Sequence, residues 1–317
     1  MGGCRTFLAG LVCLLLAGCP PAPAGFDTEA LVWPDGAPGA RGSRRHDEPR
    51  LFYYFPDPAI ATDTAVVVAS GGSYGHHGGL RPEGVPTARW LTSLGITAII
   101  VRYRVGEFGG YDHRAFLADG ARAVQIVRAQ AEELGVAPDR IGMIGYSAGG
   151  HLSASLAARC PEHVVDGEQP PSAVVLPDDA LSRVSCRPDF AAALYPVVTL
   201  NPPYVYERSR RNLLGDQKDA PPPELVSLLS VEEQVSATTA PLFVVHSELD
   251  TKVDHENSVL LYDALVAAGA PNARLLLAQD GRHGVALARD PDRMPQMSQW
   301  PEQFIAWAQA LGKLDLK

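Results

Sequence analysis

The stretch Ile-Gly-Met-Ile-Gly-Tyr-Ser-Ala-Gly-Gly-His, residues 141–151, joins a short apolar segment to a Gly-x-Ser-x-Gly motif and then to a helical segment. Glycines at positions 145 and 149 let the chain turn sharply, because neither carries a Cβ atom that would clash. The turn exposes the hydroxyl of Ser147, and it directs the backbone amide of Ala148 toward an anion at the helix N-terminus. The stretch therefore predicts a nucleophilic serine, and the alternative is a tightly packed structural turn.

Apolar segments that are typical of buried strands alternate with helical segments along the rest of the chain. Predicted strands cover residues 51–55, 65–70, 96–102, 141–145, 190–194, 242–246 and 274–278, and predicted helices cover residues 87–94, 114–134, 148–159, 256–268 and 298–311. This alternation predicts an α/β fold, a mainly parallel, doubly wound sheet in a single domain, with residues 51–55 as an antiparallel edge strand. Ligands of such sheets bind at the carboxyl ends of the strands, so catalytic residues should follow strands.

The base that activates the serine is predicted from its place along the chain. A serine is a weak nucleophile until a histidine removes its proton and a carboxylate orients that histidine. His283 lies in the loop that follows the last predicted strand. His246 lies within a strand and His255 lies at the start of a helix, which favours core or surface roles for both. His283 is therefore the predicted base.

The orienting acid is expected between the serine and the histidine, in the turn after residues 242–246. Asp250 lies in that turn and is the favoured candidate. Asp254 is placed where it would cap the next helix, and Glu248 is a third candidate. The predicted set is therefore Ser147, Asp250 and His283, in that order along the chain.

A glycine-rich loop, Ser-Gly-Gly-Ser-Tyr-Gly at residues 70–75, follows the first long apolar strand. Glycines let backbone amides approach an oxyanion closely. Gly72 and Ser73 are therefore predicted to donate to an oxyanion together with Ala148, and a plain glycine turn is the alternative.

Three residues beside these motifs, Tyr74, His76 and Tyr146, are predicted to line the substrate pocket. The doublet His76-His77 would lie at the mouth of that pocket, with plain exposure to solvent as the alternative. Adjacent histidines rarely face one metal ion, and the sequence contains neither His-Glu-x-x-His nor Cys-x-x-Cys. We therefore expect no metal and no cofactor.

The first 18 residues have the pattern of an export signal. Arg5 precedes an apolar run over residues 7–16, which has about half the ~20 residues that a membrane-spanning helix needs. The run ends in Leu-Ala-Gly-Cys, residues 16–19, which resembles the bacterial lipoprotein box and predicts cleavage before Cys19 and lipidation of its thiol. Cleavage of an ordinary secretory peptide near Ala22 or Ala24 is the alternative.

Cleavage before Cys19 would leave Cys160 and Cys186 as the remaining cysteines. In an oxidising compartment outside the cytoplasm such a pair is a candidate disulfide, and two buried free thiols are the alternative. The expected location is that of an exported lipoprotein, held by its lipid on the periplasmic or cell-surface side of a bacterial membrane.

Composition limits the class of partner. The chain of 317 residues has 27 basic and 36 acidic side chains, which gives a formal net charge of −9. Binding to nucleic acid, or to an anionic membrane surface through the folded domain, needs clustered basic side chains, so neither is expected. The length suits one α/β domain with a sizeable core and leaves no residues for a second one.

The order of these motifs resembles that of a known enzyme family. The matching segments include Asn-Leu-Leu-Gly at 212–215 and His-Gly at 283–284, together with residues 70–74, 88–104, 139–152, 187–197 and 246–269. Together they are similar to the esterases related to bifunctional acetylxylan/feruloyl esterases, which are often grouped with dienelactone-hydrolase-like proteins. The resemblance implies an α/β-hydrolase fold, with residues 31–317 as the catalytic domain and residues 19–30 as a tether after the signal peptide.

The resemblance also implies a reaction, the hydrolysis of acetyl or related small acyl esters on a polysaccharide such as xylan, with Ser147, His283 and Asp250 as the triad. The sequence departs from the family pattern at Ser70 and Ser73, where a proline or histidine and a glycine are usual, and at Arg282, where a glycine is usual. These departures concern the choice of substrate more than the class of reaction. Two alternatives remain open, a peptidase of the prolyl-oligopeptidase type and a non-catalytic, lipid-anchored glycan-binding protein.

Overall fold

One sheet organises the chain. The computed structural model describes residues 25–160 and 174–316, and within them eight strands pair in the order β1-β2-β4-β3-β5-β6-β7-β8. The strands are β1 (Thr28–Leu31), β2 (Arg50–Tyr54), β3 (Ala65–Ala69), β4 (Thr97–Arg102), β5 (Ile141–Tyr146), β6 (Phe190–Leu194), β7 (Leu242–Ser247) and β8 (Arg274–Ala278). Strands β3 to β8 are parallel, and β1 and β2 pair antiparallel at one side.

Helices cover both faces of this sheet. They are α1 (Val85–Ser93), α2 (Gly106–Gly109), α3 (His113–Ala129), α4 (Ala131–Leu134), α5 (Ala148–Ala158), α6 (Glu207–Leu214), α7 (Pro223–Leu229), α8 (Glu256–Ala267) and α9 (Trp300–Ala310). A π-helical turn, Leu80–Gly84, leads into α1, and short 3-10 turns occupy Gly215–Gln217, Val231–Glu233 and Met297–Gln299. The predicted fold class, a mainly parallel, doubly wound sheet in one domain, is confirmed.

Strand β3 shows why the apolar segments are continuous. Val67 packs on the side of the sheet that α3 covers, whereas Val66 and Val68 pack on the opposite side, against residues of α1 and α9. Because both faces are covered, every position of the strand is buried. Burying one valine side chain contributes roughly 1.5–3 kcal/mol, so a polar residue anywhere in this strand would be costly.

Two predictions at the N-terminal side need correction. Residues 51–55 were expected at the edge of the sheet, but β1 pairs with the outer side of β2, so β2 lies inside the sheet. The predicted tether over residues 19–30 overlaps β1, whose half-exposed sequence Thr-Glu-Ala-Leu lacks an apolar run. The signal peptide over residues 1–18, and Cys19 with it, lies outside the described residues.

Several helices differ from their prediction. The single helix expected over residues 114–134 is divided at Gln130 into α3 and α4. Helices α2, α6 and α7 were not predicted, because α6 is charged at four of its eight positions, α2 is only four residues long, and α7 begins at a proline. Across residues 25–160 and 174–316, no helix combines the length and the apolar character that crossing a bilayer demands.

A disulfide joins Cys160, which follows α5, to Cys186, which precedes β6. Both residues are buried against the core on the α3 side of the sheet, and their Cα atoms are 5.7 Å apart. The bond closes a loop across 26 positions of sequence.

We expect the change Cys186→Ser to lower the free energy of unfolding by about 3 kcal/mol, because a cross-link over a loop of this length restricts the unfolded chain. Urea unfolding followed by circular dichroism measures the change. Reductant should destabilise the wild-type protein by a similar amount and leave the variant unaffected. Wild-type protein that unfolds at the same urea concentration with and without reductant would contradict the prediction.

Candidate active site

The turn between β5 and α5 holds Ser147 in an unusual backbone conformation, with φ +53° and ψ −115°. Its amide donates to the carbonyl of Leu194 at the end of β6, over 2.9 Å. No residue with a Cβ atom fits at the two flanking glycine positions. A Cβ atom on Gly145 would lie 1.9 Å from the carbonyl oxygen of Gly149, and one on Gly149 would lie 2.2 Å from that of Ala69. The sharp, strained turn that the sequence predicted is therefore required by close backbone packing.

Three strands end at the same edge of the sheet and bring the predicted triad together. The Nε2 atom of His283 lies 3.0 Å from the Oγ atom of Ser147, and its Nδ1 atom lies 2.6 Å from Oδ2 of Asp250. An ionised carboxylate only accepts, so the proton of the neutral imidazole is on Nδ1, and the serine hydroxyl donates to Nε2. This arrangement has the geometry in which a histidine can accept the proton of a serine.

Asp250 is the most completely paired of the three residues. Its Oδ1 atom accepts from the amides of Lys252 and Val253, and its Oδ2 atom accepts from His283 and His246. Burial alone would raise the pKa of Asp250, but the two histidines and the Lys252 amide hold this pKa well below its usual range. The carboxylate therefore stays charged at neutral pH.

The two alternative acids lie elsewhere. Asp254 is half exposed, and its Oδ1 atom accepts from the amide of Glu256, the first residue of α8, but the N-cap of that helix is His255 rather than Asp254. Glu248 is exposed to solvent. The structure therefore brings only Asp250, among the three candidates, to His283.

His246 is a contact that the sequence did not indicate. A core or surface role was predicted for it, and it is fully buried, but its Nε2 atom lies 3.2 Å from Oδ2 of Asp250 and 3.1 Å from the carbonyl oxygen of Val253. Its Nδ1 atom lies 2.7 Å from Oγ of Ser258. Burial lowers the pKa of His246 more than its bond to Asp250 raises it, so the ring is neutral with its proton on Nε2. The sequence held one signal of this contact, which is the presence of a histidine in an otherwise apolar predicted strand.

The loop after β3 has the strained backbone that its glycines suggested. Gly72 has φ +144°, and a Cβ atom there would lie 1.8 Å from the carbonyl oxygen of His76. Ser73 follows at φ +56°, a left-handed conformation that costs a serine on the order of 1 kcal/mol. The side chain of Asn212 in α6 donates to the carbonyl of Ser73 over 2.8 Å and supports the loop from outside.

The backbone amide of Gly71 has a hydrogen-bond partner within the protein, whereas in the part of the chain that the structure describes those of the predicted oxyanion donors Gly72 and Ser73 have none. The amide of Gly71 donates to Glu83 Oε2 over 2.6 Å, so it is occupied. Among the turn and loop hydrogen bonds of the described residues, none uses the amide of Gly72 or Ser73. Ala148 is the first residue of α5, where amides have no partner within the helix. These three amides are therefore available to an anion.

Two of the three predicted pocket residues are core residues. Tyr74 is fully buried, with its ring stacked on Phe116 and its hydroxyl 2.8 Å from Nδ1 of His151. Tyr146 is also fully buried, and its hydroxyl lies 2.6 Å from Oγ1 of Thr87. Neither side chain lines an open pocket, so both predictions are wrong: each ring points into the core, a direction that its place in the sequence did not reveal.

His76 is half-buried beside Gly72, and its Nδ1 atom accepts from the amide of Gly78. It stays a candidate for the rim of the site. Within residues 25–160 and 174–316, no three histidine, cysteine or acidic side chains are grouped so that they could hold a metal ion.

We expect the change Asp250→Asn to lower kcat for ester hydrolysis by about 10⁴-fold, because an amide at this position can stabilise the wrong tautomer of His283. The matched control is Asp254→Asn, four residues further on, which should keep kcat within about threefold of wild type because it alters only a half-exposed hydrogen bond to the first amide of α8. Steady-state kinetics with a small acetyl ester measure both. Equal losses in the two variants would contradict the assignment of Asp250.

Comparison with known proteins places this geometry in context. A crystal structure of an acetyl ester-xyloside bifunctional hydrolase from Caldicellulosiruptor lactoaceticus is similar over 91% of this chain and 97% of its own, with 33% sequence identity and a TM-score of 0.75. The fold is the α/β-hydrolase fold. Endo-1,4-beta-xylanase B of Butyrivibrio fibrisolvens is 30% identical over 76% of this chain, and an acetylxylan esterase of Xylanibacter ruminicola is 27% identical over 72% of it.

The chain spans only part of those two relatives, 35% of the xylanase and 42% of the acetylxylan esterase. A family model described as BD-FAE matches residues 52–265, a segment that includes Ser147 and Asp250 and ends before His283. That match covers about two thirds of the sequence. The chain therefore belongs to the BD-FAE family.

Proposed function

We propose that the protein is a serine carboxylic-ester hydrolase that acts by acyl transfer. The observation that carries the proposal is the continuous hydrogen-bonded chain from Ser147 through His283 to Asp250. Ala148 follows Ser147 directly and Gly71 packs against it, and the amides of Gly72, Ser73 and Ala148 are available to an anion. These are the two components that hydrolysis of an acyl group by a serine requires, an activated nucleophile and donors for the oxyanion.

The reaction follows from the geometry. Ser147 Oγ attacks the ester carbonyl, and its proton passes to Nε2 of His283. Asp250 keeps the imidazole in the reactive tautomer and stabilises the imidazolium by its charge. The amides of Gly72, Ser73 and Ala148 stabilise the negative oxygen of the tetrahedral intermediate. The intermediate then collapses, the leaving alcohol takes the proton from His283, and the acyl group stays on the serine.

Water completes the cycle. His283 takes a proton from the water as it attacks the acyl-enzyme, and the second tetrahedral intermediate is stabilised by the same amides. Its collapse releases the carboxylic acid, and His283 returns the proton to Ser147. The protein groups named here suffice for both half-reactions.

For the substrate, we propose acetyl groups or related small acyl groups on a polysaccharide such as xylan. Support comes from relatives whose names include acetylxylan esterase and acetyl ester-xyloside hydrolase. Arg282 lies beside the predicted base, so this departure would act on the leaving group, whereas the departure at Ser73 leaves the backbone amide of that residue available to the oxyanion.

We expect the change Ser147→Ala to reduce hydrolysis of p-nitrophenyl acetate by on the order of 10⁶-fold, because the triad acts as a unit. The control Ser155→Ala changes a half-buried serine within α5, two turns beyond Ser147, and should leave the rate unchanged. Hydrolysis that survives Ser147→Ala undiminished would contradict the mechanism.

The same preparations decide the substrate. Wild type and Ser155→Ala should release acetate from acetylated xylan and should leave a peptide anilide uncleaved. Ser147→Ala should act on neither substrate. Cleavage of the anilide alone would indicate a peptidase. Failure of a fluorophosphonate to label Ser147 in folded protein would indicate a binding protein without catalysis.

We further propose that the chain is exported and carries a lipid on Cys19. The support is the order of Arg5, an apolar run and Leu-Ala-Gly-Cys at residues 16–19, together with a disulfide, which is typical of oxidising compartments. In this arrangement the lipid holds the domain to a bacterial membrane, and the folded domain itself does not bind lipid.

We expect Cys19→Ala to abolish incorporation of labelled palmitate and to release the protein from the membrane fraction of expressing bacteria, because the acceptor thiol is gone. The control Cys13→Ala removes a cysteine within the apolar run and should leave both unchanged. Label that persists after Cys19→Ala would contradict lipidation at this residue.

A further inference from the structure

One buried carboxyl beside the proposed triad has no part in the mechanism given above. Glu83 lies in the π-helical turn Leu80–Gly84, shortly after the glycine-rich loop, and only 6% of its surface is exposed. π-helical turns are frequent at functional sites. A buried carboxyl is stable only when its oxygens accept hydrogen bonds, so its partners show what it holds in place.

One oxygen of Glu83 holds the start of the glycine-rich loop. Oε2 accepts from the amide of Gly71 over 2.6 Å. Gly71 itself lies against the nucleophile, since a Cβ atom on Gly71 would be 3.0 Å from Cβ of Ser147. Gly79 gives the carboxyl its space, because a Cβ atom there would lie 2.1 Å from Oε2. Glu83 therefore fixes the residue that precedes the proposed oxyanion donor Gly72.

The other oxygen of Glu83 holds the loop that carries the base. The hydroxyl of Tyr195 donates to Oε1 over 3.1 Å, and the same hydroxyl accepts from the amide of Ala286 over 3.1 Å. The ring of Tyr195 packs edge-on against the ring of His283, with centroids 4.9 Å apart. Tyr195 and Ala286 both have left-handed backbones, with φ +38° and +51°, and such conformations persist only where neighbours enforce them.

Glu83 is also coupled electrostatically to the groups around it. Burial raises the pKa of its carboxyl more than the bonds from Gly71 and Tyr195 and the positive charges of His283 and Lys252 lower it. The titratable groups around it are Tyr103, Tyr146, Tyr195, His283 and Lys252. An ionised Glu83 would attract the imidazolium that forms on His283 during the reaction.

We propose that Glu83 is a positioning residue that ties the oxyanion loop at Gly71 to the base-bearing loop through Tyr195. The proposal rests on the esterase function proposed above. Glu83 touches no reacting atom. It acts by holding two segments, residues 70–79 after β3 and residues 279–288 after β8, at a fixed separation around Ser147.

The test is Glu83→Gln, which keeps the shape of the side chain. Its amide oxygen can still accept from Gly71, but its NH₂ group then faces Tyr195, whose hydroxyl loses its acceptor. We expect kcat for p-nitrophenyl acetate to fall about 10²-fold with KM changed less than about threefold, because misplacement by ~1 Å acts on the transition state more than on binding. The rate of fluorophosphonate labelling of Ser147 should fall with kcat.

The matched control is Glu232→Gln. Glu232 is a half-buried glutamate whose pKa is also raised by burial, and one of its oxygens has no hydrogen-bond partner in the described structure. Its variant should keep wild-type kcat and labelling. A second variant, Tyr195→Phe, removes the link from the other end, and the losses in the double variant Glu83→Gln/Tyr195→Phe should be less than multiplicative.

The outcomes separate the two proposals. Wild-type activity that Ser147→Ala abolishes, combined with normal kcat in Glu83→Gln, would overturn the role of Glu83 and leave the esterase intact. Absence of Ser147-dependent hydrolysis in the wild type would overturn both. If Glu83→Gln does not fold, Tyr195→Phe decides: a folded variant with wild-type kcat overturns the proposal, and a selective loss of kcat supports it.

Discussion

The turn at Ser147 is the constraint on which the arrangement around it depends. A serine at φ +53° is stable here because two glycines let the backbones of β3, β5 and α5 approach within contact distance. That approach fixes the start of α5 against the ends of β3 and β6, and it leaves the Ala148 amide and the serine hydroxyl at the same edge of the sheet. The loops after β3, β7 and β8 lie at this same edge, around Ser147. Strain at one residue thus organises a site drawn from four strands.

The strands and the triad could be predicted from sequence because their physical causes are local. Strands β3, β5 and β6 are buried on both faces, so each is a short run of apolar residues, and Asp250 and His283 each follow such a run. By contrast, β1 is half exposed and lacks an apolar run, and α6 has only two apolar residues, both at its C-terminal end, so neither stands out as a buried segment. The sheet edge was misassigned for the same reason.

What the sequence did not reveal depends on side-chain direction and on distant partners. Tyr74 and Tyr146 stand beside catalytic motifs but point into the core, and nothing in their neighbours along the chain fixes that direction. Glu83 and Tyr195 meet across 112 positions of sequence, and His246 contacts Asp250 only because the turn after β7 folds back. Such contacts are decided by packing of the whole domain rather than by a motif.

The pairing of Asp250 has a consequence for the path of the proton. A carboxylate has about four lone-pair positions, and two amides and two histidines occupy those of Asp250. The carboxylate of Asp250 therefore has no lone-pair position left to accept a hydrogen bond from water or to take the proton from His283. In the proposed reaction, the proton taken from Ser147 stays on the imidazole until the departing alkoxide removes it. In each acyl transfer the same proton therefore passes from the nucleophile to the leaving group, and Asp250 offers it no route to bulk solvent.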